Sequence, residues 1–160
     1  MKHEVKVRYP APASIVIGLF TDAAFYPRKL DLLGVPRHKV LDKRESKNHL
    51  DIKLELHVPM QVPGILKKVV PADMTVIQEE SWDKTTMAGT LRVHSAGSPA
   101  DMSCKASIAD EGKACTVTYA WEVKAKIPLI GGTLEKFICS DIDERARREQ
   151  AGVDALIKKA

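Results

Sequence analysis

Cysteine is scarce in this sequence of 160 residues, which contains Cys104, Cys115 and Cys139 and no closely spaced pair. An odd number of cysteines at wide spacing argues against a disulfide framework. The sequence also begins with alternating charged and apolar residues, and no stretch approaches the roughly 20 apolar residues of a membrane span. These absences predict a cytoplasmic protein without a signal peptide or an integral membrane segment, whose cysteines stay reduced.

Runs of one charge are also absent. The formal net charge is +4, and lysine and arginine alternate with acidic residues along most segments. Nucleic-acid-binding proteins usually carry a basic block or stripe, and no block of five or more basic residues occurs here. No nucleic-acid partner is therefore predicted, and the charged residues are interpreted as a solvated surface.

Signatures of catalysis and of metal binding are missing as well. No Gly-x-Ser-x-Gly, phosphate-binding loop or Gly-x-Gly-x-x-Gly motif occurs. None of the five histidines has the helical spacing to a second histidine or a carboxylate that is typical of metal ligands. The sequence thus predicts no catalytic residue, no metal and no cofactor, and it favours a protein that is not an enzyme.

The sequence does contain a regular succession of strand and helix patterns. Alternation of apolar and polar residues predicts a first strand over Lys2–Tyr9. Pro10 and Pro12 end that strand, and apolar residues at helical spacing then predict two short helices, the second ending at Gly34. Apart from a loop over 60–72, the patterns that follow are those of strands separated by short turns. The predicted strands cover 36–46, 50–58, 74–82, 85–95, 102–108 and 115–127.

A long amphipathic helix is predicted after the last strand, with Thr133 as the expected N-cap. Its charged face includes Glu149, and Gly152 is expected to loosen its last turns. Only this helix is long enough to cover the apolar face of an antiparallel sheet, which predicts a two-layer α+β domain spanning residues 1–160. The apolar stripe of the helix consists of Leu134, Phe137, Ile138, Ile142, Ala146, Val153, Leu156 and Ile157.

Three stretches of the sequence resemble one superfamily of proteins. They are YPAPASIVIGLFTDAAFYPRKL (Tyr9–Leu30), ESWDKTTMAGTLRV (Glu80–Val93) and VKAKIPLIGGTLEKFI (Val123–Ile138). With the order of elements, they resemble the helix-grip superfamily of START lipid-transfer domains, polyketide cyclases and birch-pollen-allergen-like (SRPBCC) proteins, and within it an uncharacterised bacterial branch. The resemblance implies a curved antiparallel sheet of about seven strands wrapped around a long C-terminal helix, with two short helices after the first strand.

The resemblance also implies an apolar cavity between the sheet and the last helix, which is the usual form of a small-molecule site. Glu80 is a candidate because it shares parity with Trp82, although Ile77 favours the opposite parity. A carboxylate in such a cavity could act as an acid or as a hydrogen-bond anchor. Each candidate could equally be an ordinary core residue. The candidate ligand-binding residues are Leu54, Leu56, Glu80, Trp82, Leu91, Val93, Tyr119, Trp121, Phe137 and Ile138.

Three functions are compatible with these observations. The favoured one is a non-catalytic carrier or sensor of a hydrophobic small molecule or lipid, because a cavity-forming fold is combined with no reactive motif. The second is a cyclase-like enzyme acting on an apolar or aromatic substrate, which requires two or more convergent acid–base groups in the cavity. The third is a protein-interaction module of the chaperone-cofactor kind, which requires an exposed apolar patch. The identity of the ligand and the oligomeric state stay open.

Overall fold

One antiparallel sheet of seven strands forms the larger layer of the structure, a computed structural model that describes residues 1–159. Apart from β2, whose second half is exposed, the strands alternate inward and outward side chains, and their inward positions are mostly apolar. The strands are β1 (Lys2–Tyr9), β2 (Arg37–Glu45), β3 (His49–Pro59), β4 (Asp73–Asp83), β5 (Ala88–His94), β6 (Ala100–Asp110) and β7 (Cys115–Ala125).

The order of the strands across the sheet is β1-β7-β6-β5-β4-β3-β2. All neighbours pair antiparallel, and from β2 to β7 each strand lies beside the next one along the chain. β1 is the exception, because it pairs with β7 and places Tyr9 opposite Cys115. The first and last strands of the chain therefore form one edge of the sheet together.

Three helices complete the fold: α1 (Ala13–Phe20), α2 (Phe25–Leu32) and α3 (Gly131–Lys159). α1 has no capping side chain of its own, and the carboxylate of Asp110, at the end of β6, accepts a hydrogen bond from the Ala13 amide at 2.9 Å. A carboxylate at this position satisfies a free helical N–H group and complements the helix dipole. The start of α1 is thereby fixed to the sheet.

The long helix α3 lies across the inward face of the sheet, with its main contacts on β1, β7 and α2. Leu134, Ile142, Val153 and Leu156 of its apolar stripe are buried. α1 and α2 occupy the space beside its C-terminal half, where Leu30 of α2 joins the same core. This is the two-layer helix-grip arrangement that the sequence predicted.

Most strand ends differ from the sequence-based prediction by one or two residues, and three further differences are informative. β5 begins at Ala88 rather than at residue 85, because the carboxylate of Asp83 accepts hydrogen bonds from the amides of Thr85 and Thr86 and holds them in a turn. α3 begins at Gly131, ahead of the expected N-cap Thr133. The same helix continues without a break past Gly152, because Leu32 and Leu33 pack beside that position.

No helix within residues 1–159 is long and apolar enough to cross a membrane.

Replacing Gly89 with alanine should destabilise the fold. A Cβ atom at this position would lie 2.5 Å from the Trp82 ring and 2.6 Å from the carbonyl oxygen of Ser81. The indole is fully buried and has no room to move away. Overpacking of this kind lowers the free energy of unfolding by about 1–3 kcal/mol, which urea denaturation measures.

The control for this substitution is Gly18→Ala in α1, where the added methyl group meets no neighbouring atom within 4 Å. Because alanine favours the helix over glycine, we expect the free energy of unfolding to rise by about 0.5–1 kcal/mol. Wild-type stability of the Gly89→Ala variant would show that the indole is not held against β5.

Candidate ligand-binding cavity

A cavity of about 220 Å³ lies between the inward face of the sheet and α3, and it is partly open to solvent. Its wall is mainly apolar, and side chains of six strands and of the long helix contribute to it. Such a combination of an apolar wall and a few polar groups is typical of small-molecule sites. The volume is below the roughly 300–1,000 Å³ of most such sites, which favours a small ligand.

Eight of the ten residues that the sequence suggested line this cavity. The other two, Leu54 and Trp82, point inward but are fully buried in the core and do not reach the cavity. The Trp82 ring packs against Phe20 of α1, with 4.8 Å between the ring centroids. The eight that line the wall are Leu56, Glu80, Leu91, Val93, Tyr119, Trp121, Phe137 and Ile138.

Glu80 is the most deeply buried acidic residue of the cavity wall, with 5% of its surface exposed. Its two oxygens accept hydrogen bonds from the indole N–H of Trp82 at 3.0 Å and from the Gln78 amide at 2.6 Å. The regular register of β4 with β3 and β5 places these three residues on the inward face and Ile77 on the outward face. Two neutral donors therefore hold the Glu80 side chain in place.

A buried ion pair lies behind the cavity wall. The ammonium of Lys29, a residue of α2 that is 4% exposed, donates to Glu149 of α3 at 2.9 Å. Burial lowers the pKa of Lys29, but the negative charges of Glu149 and Glu80 outweigh burial, and the net pKa is raised. The ammonium also lies 5.4 Å and 5.2 Å from the ring centroids of Phe25 and Tyr26. The pair thus joins α2 to α3 and supplies the cavity wall with the carboxylate of Glu149.

Three tyrosines meet near this ion pair. Burial and the nearby charges of Glu149 and Glu80 raise the pKa of Tyr26 and Tyr119, and burial with Glu149 and Asp154 raises that of Tyr9. The Tyr26 hydroxyl donates to the carbonyl oxygen of Phe20 at 2.7 Å. All three phenols are therefore neutral at physiological pH and can serve as hydrogen-bond donors rather than as bases.

The three thiols are poor nucleophiles in the folded protein, since all three cysteines are buried. Burial raises the pKa of Cys104 to about 12 and that of Cys115 to about 11. Burial likewise raises the pKa of Cys139. The thiolate is the reactive form of cysteine, so these residues belong to the packing of the core.

The polar residues of the wall that were not candidates from the sequence include Tyr9, Gln78 and Glu149. The alternation of β1 and β4 does place the first two on inward positions, and that signal could have found them. Glu149 was assigned to the charged outer face of α3, which is wrong. Its position is fixed by Lys29, which is 120 residues away along the chain, and no local pattern reports such a contact.

A larger concave surface, of about 1080 Å³, lies on the outer face of the sheet. Charged side chains of both signs line it, including Arg44, Asp51 and Lys53. Exposed charges of mixed sign are typical of a solvated sheet surface. Among the described residues, no group of three or more histidine, cysteine or acidic side chains could hold a metal ion. The candidate site is therefore the apolar cavity.

Comparison with known proteins places the chain in a family. Residues 4–157 match the model of a family described as a protein of unknown function (DUF2505). The chain belongs to this family. A search among curated proteins finds no match for this DUF2505 chain.

Solved structures similar to the DUF2505 chain share its fold at low identity. TTHA0849 from Thermus thermophilus has a TM-score of 0.70 and 17% identity, covering 99% of this chain and 98% of that one. The Zhui aromatase/cyclase from Streptomyces sp. R1128 has a TM-score of 0.65 and 15% identity, with 99% and 94% covered. A START superfamily protein from Mycobacterium smegmatis has a TM-score of 0.62 and 12% identity, with 99% and 97% covered. These likenesses confirm the helix-grip fold.

Replacing Glu149 with glutamine should destabilise the protein, because the buried Lys29 ammonium would lose the charge of its partner. Loss of one member of a buried pair is costly, and Glu149 is itself partly exposed. We expect the free energy of unfolding to fall by about 2 kcal/mol. Chemical denaturation at neutral pH measures the difference.

Glu144→Gln on the same helix is the matched control. Glu144 pairs with Arg148 at 2.7 Å, but both side chains are more than half exposed. Exposed pairs at this spacing contribute about 0.3–0.5 kcal/mol, so the control should remain close to the wild type. Equal effects of the two substitutions would contradict a structural role of the buried pair.

Proposed function

We propose that this protein binds a small hydrophobic molecule or lipid in the cavity between the sheet and α3, as a carrier or sensor rather than as a catalyst. The observation that carries the proposal is the cavity itself, because about 220 Å³ of mainly apolar space remains inside a small domain. Protein interiors usually pack with few voids larger than a water molecule. Space of this size beneath an apolar wall favours binding of an apolar ligand.

The construction of the wall supports the same proposal. Leu56, Leu91 and Val93 supply aliphatic surface from three neighbouring strands, and Trp121 and Phe137 supply aromatic surface from β7 and α3. These side chains would be well packed against a hydrophobic ligand, and burial contributes about 25 cal/mol for each Å² of apolar surface removed from water. The hydrophobic effect would therefore provide most of the affinity.

A cyclase-like activity is the second candidate, and one observation favours it. Glu80, Tyr9 and Tyr119 bring acidic and phenolic groups to the same end of the cavity, and one structural neighbour is an aromatase/cyclase by name. However, the raised pKa of both tyrosines prevents them from acting as bases at neutral pH. Both oxygens of Glu80 already accept hydrogen bonds, so the arrangement suits binding better than proton transfer.

Replacing Ala146 with phenylalanine should block ligand uptake. Ala146 lies on α3 at the cavity wall, and a phenyl ring there would occupy much of the free space. We expect at least tenfold weaker binding of an apolar fluorescent dye, with the melting temperature close to that of the wild type. Dye titration and thermal unfolding measure the two quantities separately.

Ala151→Phe is the control, because Ala151 is exposed on the same helix and the chemical change is identical. It should bind the dye like the wild type. A wild-type protein that binds neither the dye nor any extractable apolar molecule in native mass spectrometry would contradict the proposed function. Chemical conversion of a bound polyketide-like or aromatic substrate would favour the cyclase instead.

A further inference from the structure

We propose that the end of the cavity nearest α1 and α2 binds an uncharged oxygen-containing head group, so that the ligand is a neutral amphiphile such as an alcohol or a ketone. This inference rests on the proposed function, and it adds the chemical class and the orientation of the ligand. It is carried by two tyrosine hydroxyls in the cavity wall that have no hydrogen-bond partner within residues 1–159.

The unpartnered hydroxyls belong to Tyr9 of β1 and Tyr119 of β7, two strands that pair with each other. Tyr9 is 1% exposed, and its ring packs edge-on against Phe20. No hydrogen bond forms at either hydroxyl among the described residues, whereas the Tyr26 hydroxyl nearby donates to a carbonyl oxygen. Both side chains line the cavity, so their hydroxyls can donate to an acceptor that enters it.

Several acceptor atoms of the protein at this end are already engaged. Glu80 accepts from Trp82 and Gln78, and one oxygen of Glu149 accepts from Lys29. The hydroxyls of Tyr9 and Tyr119 are free to donate, and a hydroxyl or carbonyl oxygen of a ligand would complement them. A protonated amine has no lone pair to accept such a hydrogen bond.

The charge at this end disfavours a ligand carboxylate. Glu80 and Glu149 both line the cavity, while the Lys29 ammonium lies behind the wall and is paired with Glu149. Among the described residues Glu80 has no cation within 4 Å. A like charge brought into a poorly solvated site is repelled strongly. Arg145 is the one cation of the wall, and its guanidinium is held by Asp141 at 2.6 Å, one helical turn from Glu149 toward the start of α3.

The remaining wall determines how the ligand lies. The buried rings of Tyr9, Phe20, Phe25, Tyr26 and Trp82 pack together on the side of α1 and α2, and of these Tyr9 lines the cavity. Apolar residues from the turn of α3 near Phe137 line the other end. The oxygen of the ligand therefore lies against the tyrosines and its hydrocarbon part extends toward Phe137.

A series of eight-carbon probes tests this assignment on the wild-type protein: octane, octanol, hexyl methyl ketone, octanoate and octylammonium. Displacement of the apolar dye at neutral pH measures each affinity. We expect octanol and the ketone to bind at least tenfold more tightly than octanoate and octylammonium. The proposal would be overturned if octanoate bound most tightly, which an interaction with Arg145 would explain. It would equally be overturned if octylammonium bound most tightly, which an interaction with Glu80 would explain.

Tyr9→Phe and Tyr119→Phe test the two donors directly. Each substitution should lower the affinity for the ketone by about fivefold to tenfold, as expected for the loss of one hydrogen bond. The affinity for octane should stay within twofold of that of the wild type. Tyr26→Phe is the control, because its hydroxyl bonds to the protein and does not line the cavity. It should preserve the ratio of the two affinities even if it lowers stability.

The outcomes separate this inference from the proposed function. If no probe binds, octane included, the carrier function fails and the head-group assignment fails with it. If octane binds but the tyrosine substitutions leave the affinity for the ketone unchanged, the cavity is an apolar site and only the head-group assignment is wrong. The probe series is measured on the wild type, so it decides the question even if a tyrosine variant does not fold.

Discussion

One helix has to cover a sheet much wider than itself, and the rest of the structure depends on this mismatch. Seven strands about 4.8 Å apart span roughly 29 Å, whereas a helix with its side chains is about 10–12 Å across. The sheet bends around α3 and reduces the gap, and α1 and α2 fill one end with aromatic rings. The cavity is the part of the gap that neither the bend nor the two short helices fill.

The period-two alternation of the strands made most of the fold predictable from the sequence. It assigned Tyr119 and Trp121 to the inward face of β7, and both line the cavity. In β4 the alternation gave two incompatible predictions, because Ile77 and Glu80 have opposite parity and only one of them can face inward. The structure resolves the conflict in favour of Glu80, because Trp82 and Gln78 on the same face bond to its carboxylate. Single aliphatic residues are common on the outward face of a sheet, and the half-buried Ile77 is one of them, so it was a weak basis for choosing a face.

The position of a residue along that face could not be predicted in the same way. Alternation correctly turns Trp82 inward, but whether its ring meets the cavity or another side chain depends on where α1 lies, and α1 brings Phe20 to it. The pairing of Lys29 with Glu149 is likewise set by the docking of α2 on α3. Both are contacts between elements distant in sequence, and a helical or strand period carries no information about them.

Stability alone does not explain the hydroxyls of Tyr9 and Tyr119. Within the same cluster, the groups that face the protein are satisfied: Tyr26 bonds to a carbonyl oxygen, and Lys29 bonds to a carboxylate. Phenylalanine would preserve the packing of the two cavity-facing rings and would lose no hydrogen bond to the described part of the protein. A sequence selected only for a stable fold would therefore favour phenylalanine at both positions. Local departures from complete polar pairing are expected at functional sites, and these two hydroxyls lie where a ligand would provide the missing partner.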